Sequence, residues 1–68
     1  MSKGKTFWCH NTTLDCQVVV SRDGDGHFRC CCYYNGRPDG VMRRCTQKTA
    51  ANMMQMSITE LLELFKLD

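Results

Sequence analysis

The sequence predicts an α+β miniprotein, a three- or four-stranded antiparallel β-meander packed on a C-terminal α-helix, and three observations carry that expectation. Apolar and polar residues alternate with a period of two through the first two-thirds of the chain. A turn-forming Asp23-Gly24-Asp25-Gly26 separates two of the alternating segments. From Thr46 onward there is no glycine or proline and helix-forming residues dominate.

The strands follow in order. Residues 5–10 read as a short first strand, and the polar residues 11–15 as a loop. Residues 16–22 are rich in β-branched side chains. In the next strand, residues 27–35, one face is Phe28, Cys30, Cys32 and Tyr34 and the other is His27, Arg29, Cys31 and Tyr33. The first of these faces is expected to join Phe7, Cys9, Cys16, Val18 and Val20 in the core. Residues 35–40 hold two glycines and the single proline and form a turn, after which residues 41–45 return as a fourth strand.

The helical part begins with a turn or short helix through Ala50, Ala51, Met53 and Met54. The main helix starts at Ser57, because Ser57-Ile58-Thr59-Glu60 is a capping box in which serine and glutamate satisfy each other's free backbone N–H groups. Ile58, Leu61, Leu62 and Phe65 fall at helical spacing and Leu64 and Leu67 widen the stripe, so Ile58, Leu61 and Phe65 are expected in the core. Residues 1–68 thus form a single small domain, the sheet over about 5–46 and the helical part over about 49–67.

A domain of 68 residues buries only roughly 60% of its unfolded surface, and scaffolds below about 70 to 80 residues usually need a staple, a metal or a partner. Six cysteines, three of them consecutive at Cys30, Cys31 and Cys32, make the use of the thiols the central question. The opening Met1-Ser2-Lys3-Gly4-Lys5-Thr6 carries no apolar export segment, which points to a cytoplasmic protein with reduced thiols. Asn11-Thr12-Thr13 matches a glycosylation acceptor but has no meaning without secretion. No stretch is long and apolar enough for a membrane span.

Three uses of the cysteines stand side by side. A zinc site would draw on Cys9, Cys16, Cys30, Cys32 and Cys45, although no paired Cys-x-x-Cys knuckle is present. Cysteine is also a small apolar side chain that fills cores, and alternation favours that use. Disulfide or redox chemistry is the third, with Cys31 the expected exposed thiol beside Arg29. Catalysis by Cys31 or Cys9 with His10 or His27 is not expected: no motif orients a nucleophile, and so short a chain has little room for a pocket. The Asp-Gly-Asp-Gly run lacks the remaining ligands of a calcium loop.

The formal charge of +2 is uneven: residues 1–48 hold eight of the nine Lys and Arg against four acids, and residues 49–68 hold one against three. The expected function is a non-enzymatic, stoichiometric protein-binding module that inhibits or regulates a larger protein or complex, without a cofactor. Phage-encoded and other mobile-element inhibitors of host defence or transcription share this size class; the source cell's cytoplasm would then be the host's. Trp8, Arg29, Tyr33, Arg37, Arg43 and Arg44 are the candidate partner-binding residues, since aromatics and arginine dominate interface energetics. The alternative is a zinc-stabilised or basic-faced nucleic-acid-binding regulator, in which Arg29 and Tyr33, with Arg37, Arg43, Arg44 and Lys48 nearby, meet a single strand. Five methionines and the wide helix stripe add a possible homodimer through the C-terminal helix.

Overall fold

Strands form where the β-branched and aromatic residues alternate, and the computed structural model, which describes residues 4–67, assembles them into one five-stranded antiparallel sheet. β1 (Lys5–Asn11), β2 (Cys16–Arg22) and β3 (Phe28–Tyr34) run in meander order. Two short strands, β4 (Arg37–Pro38) and β5 (Arg43–Cys45), both pair with β3. The α+β class expected from the sequence is therefore the class observed, with one more strand than the alternation suggested.

The extra strand comes from the turn chemistry at residues 35–36. Asn35 and Gly36 both have positive φ, 54° and 79°, the pair of left-handed residues that a two-residue hairpin turn requires. Tyr34 consequently pairs with Arg37 and β4 starts inside the expected turn. The β2–β3 turn is held by the Asp23 carboxylate, whose Oδ1 accepts from the N–H groups of Asp25 and His27, both at 3.1 Å.

Two helices close one face of the sheet. α1 (Gln47–Met53) is capped by the Thr46 hydroxyl, which accepts from Thr49 N–H. α2 (Ile58–Leu64) carries the full capping box between Ser57 and Glu60. Between them the chain reverses at Gln55, which takes a positive φ of 56° while Met56 N–H reaches the Ala51 carbonyl and Gln55 N–H the Asn52 carbonyl. That double bond pattern is a Schellman stop with glutamine in the position glycine usually holds.

The core lies between this helical layer and the sheet: Cys16, Val18, Val20 and Phe28 meet Ala50, Ala51, Met54, Leu61 and Phe65. Phe65 sits at its centre, with edge-on ring contacts to Phe7 at 4.9 Å and Phe28 at 5.4 Å. Phe7, Cys9, Cys30, Cys32 and Cys45 pack half-buried around it. Two expected core residues are corrected. Tyr34 is 42% exposed because it lies beyond the rows that the helices cover, and Ile58 is 41% exposed because it opens a helix whose contact with the sheet is made by Leu61 and Phe65. Leu64 is left exposed.

Long-range hydrogen bonds tie the sheet to the helices at both ends. Asn11, only 3% exposed, donates from Nδ2 to the Met53 carbonyl and accepts at Oδ1 from Leu14 N–H, each at 2.8 Å. The nitrogen that the glycosylation pattern would modify is thus a buried donor. At the other end Arg22 donates to the Phe65 carbonyl at 3.1 Å while its guanidinium lies 5.2 Å from the centre of the Phe28 ring.

Candidate functional site

Both helices occupy one side of the sheet, so the functional question moves to the other side, where register defines three rows. Thr6, Ser21, Arg29 and Arg44 share one row; Trp8, Val19 and Cys31 the next; His10, Gln17, Tyr33 and Pro38 the third. Trp8 is 55% exposed. Its ring leans across β2 to meet Tyr33, with centroids 4.9 Å apart and planes at 62°. Val19, opposite Trp8 in the register, is buried, while Gln17, opposite Tyr33, is exposed. The face therefore presents two large rings in contact, and among the described residues both helices lie on the other side of the sheet.

Four of the six expected partner-binding residues, Trp8, Arg29, Tyr33 and Arg44, are brought together on this face. Arg43 stands opposite Cys30 and Arg37 opposite Tyr34, positions of the other parity, so the short strands carry both away from the set. Arg29 and Arg44 are direct cross-strand neighbours, an unfavourable pairing of like charges. Asp23 offsets part of it, with Oδ2 3.7 Å from Arg29 Nε. Its carboxyl is held below the usual carboxylate range, chiefly by the hydrogen bond from His27 N–H.

A groove that sequence reasoning did not anticipate opens at the end of the same face. It encloses about 650 Å³ between Trp8, His10, Asp15, Gln17, Tyr33 and Tyr34. The expectation that so short a chain leaves no concavity of ligand size is corrected, because the β1–β2 loop and the Asn35-Gly36 turn build walls past the end of the sheet rather than a cavity within the core. His10 Nε2 lies 3.4 Å from Asp15 Oδ1. The Cys16 thiol also borders the groove, but it bonds to Tyr34 and Cys32, and its bond to the phenol raises the Tyr34 pKa.

The three consecutive cysteines border a second, smaller groove of about 360 Å³ with Asp39, Gly40, Val41 and Arg43. It marks the break in β3's outer edge between β4 and β5. There Asp39 N–H bonds to the Cys32 carbonyl at 2.7 Å and the Cys31 thiol approaches the Gly40 carbonyl at 3.5 Å. Cys31 is only 8% exposed, which corrects the expectation that it is the exposed thiol; the returning chain between the short strands covers it, next to Val19.

The remaining five thiols lie on the helix side, Cys9, Cys16, Cys30 and Cys32 as the alternation implied and Cys45 through its pairing with Phe28, and every one is a free thiol. Two contacts stand out, Cys16 with Cys32 and Cys30 with Cys45. Burial, reinforced by those neighbouring thiols, pushes Cys32 up to about 11 and Cys45 up to about 12. Burial and the nearby Cys16 also raise Cys9. Among the described residues no three His, Cys, Asp or Glu side chains come together in a group able to hold a metal ion. In the same residues no helix is long and apolar enough to cross a membrane. No protein-family model matches this chain, and neither a curated protein nor a solved structure does.

Proposed function

We propose that the chain is a protein-binding module that acts stoichiometrically on a larger protein or complex, and that the uncovered sheet face is its contact surface. The observation that carries this reading is the exposed Trp8 packed against Tyr33 above a buried Val19. A tryptophan anchored on one side and open on the other combines low ordering cost with a large apolar area, the profile of an interface hot spot. The neighbouring groove gives a partner side chain somewhere to enter. Inhibition or regulation of that partner is the role we propose for the contact.

The test is affinity capture with the chain as bait, quantified for stoichiometry, with Trp8→Ala and Tyr33→Ala as comparators. One defined protein recovered at one-to-one stoichiometry and lost with either variant is the expected result. Recovery unchanged by both variants, with each still folded by circular dichroism, sinks the assignment of the face.

A second reading has its own observation. Arg29 and Arg44 oppose each other two rows from Tyr33, and an anionic strand running across the rows would relieve their repulsion at one end while a base stacks on the ring at the other. Its discriminating property is salt: affinity for single-stranded nucleic acid should fall steeply and log-linearly with salt, whereas a tryptophan-anchored protein contact should change little.

A further inference from the structure

The outer edge of β1 stands apart from the rest of the sheet. β3's outer edge is occupied by β4 and β5, but no strand pairs with the outer side of β1 among the described residues. β1 is also a full-length strand with an uninterrupted register from Lys5↔Arg22 to Asn11↔Cys16, so it contains no bulge. It has no proline, and its only Lys, Arg, Asp or Glu is Lys5 at one end. These are the devices by which soluble proteins blunt exposed edges, and apart from the terminal lysine β1 has none of them.

Its side chains, moreover, are drawn inward. Thr6 bonds to Ser21 at 2.8 Å, Phe7 packs on Phe65, Trp8 leans to Tyr33, and Asn11 reaches Met53. Cys9 points its thiol toward the same Met53 carbonyl, at 4.0 Å, and His10 turns to Asp15. Past Lys5 none of these side chains is engaged outward, and among the described residues no strand takes up the outer row of backbone N–H and C=O groups.

We propose that a second copy of this chain pairs here, β1 against β1 antiparallel about a two-fold axis at Trp8, to give one sheet continuous through the dimer. The strand is self-complementary in that register. Lys5 faces the copy's Asn11, Thr6 faces His10, Phe7 faces Cys9 and Trp8 faces itself, so no charge meets a like charge. The half-buried Phe7 and Cys9 gain cover on the helix side, and on the open side the two aromatic faces join into one. The proposal concerns the edge and is independent of the reading of the face above.

The test is sedimentation equilibrium under reducing conditions on the wild type and two double variants at exposed positions. T6K/H10K places lysine opposite lysine twice, and T6E/H10K places glutamate opposite lysine twice. The expected results are a wild-type dimer at high micromolar concentration and a dimer Kd raised about tenfold or more in T6K/H10K. T6E/H10K should restore the dimer. A monomeric wild type, a dimer insensitive to T6K/H10K, or no rescue by T6E/H10K would each overturn the proposal, as would loss of the dimer only on Ile58→Glu with Leu64→Glu. Hydrogen exchange of residues 5–11 in the wild type supplies a check that needs no variant: protection should rise with concentration, and constant protection counts against the dimer.

Discussion

Cys45 illustrates how a single thiol ties stability to pH. Its pKa is pushed up to about 12 in the folded chain from an ordinary 9.0, because burial and the bond to Cys30 disfavour the thiolate. The unfolded chain therefore loses this proton first. Its stabilising contribution is complete below pH 9.0 and is lost progressively as the pH climbs toward the folded value. Cys32, raised to about 11, acts in the same direction. Thermal melts should show a midpoint that falls above pH 9.0, with a shallower fall in Cys45→Val; identical slopes would mean the thiol is not involved. Arg44 supports the opposite kind of prediction, in which a change aids the fold. Arg44→Glu turns the like-charge pair with Arg29 into an attractive one and should stabilise by about 0.2–1 kcal/mol in urea melts. The same variant should abolish binding to nucleic acid if the anionic reading holds.

At the scale of elements, Gln55 holds α1 and the β1–β2 loop together. Its Oε1 accepts from Thr12 N–H at 3.0 Å and from the Thr12 hydroxyl at 3.1 Å, and its Nε2 donates to the Thr13 hydroxyl at 3.0 Å. Those bonds explain why glutamine occupies a left-handed position where glycine has no steric cost. Gln55→Ala keeps the strain and loses the clamp, so it should destabilise more than Gln55→Gly, by about 1 kcal/mol. Equal losses would place the whole contribution in the hydrogen bonds. The clamp was not legible in the sequence, because a polar residue 43 positions away from its partner leaves no periodic mark. The capping box at Ser57, the Asp-Gly turn and the strand alternation were legible, since each is written within a few neighbouring residues. Asn35-Gly36 was equally local: a two-residue hairpin signal lay inside a segment read only as a turn. On the open face, Trp8, Arg29 and Tyr33 followed from parity along long strands. Arg37 and Arg43 did not, because the parity of a short strand depends on the loop that delivers it.

For the whole molecule, Phe65 is the residue on which both layers converge, fully buried between Phe7 and Phe28. Phe65→Ala should cost about 3–5 kcal/mol, against a total stability of roughly 3–10 kcal/mol for a chain of this length. The expected outcome is loss of a cooperative thermal transition; a sharp melt in this variant would show that the core does not depend on it. The position of that residue in the chain also bears on biosynthesis. Arg22 is latched to the Phe65 carbonyl and Asn11 to that of Met53, so each end of the first hairpin waits for a segment more than forty residues downstream. While the chain is being translated, the hairpin and its thiols have no layer to dock on until Phe65 has left the ribosome. Folding of this hairpin therefore waits for the synthesis of α2, and any product stopped short of α2 would be a thiol-rich strand pair open to capture or proteolysis.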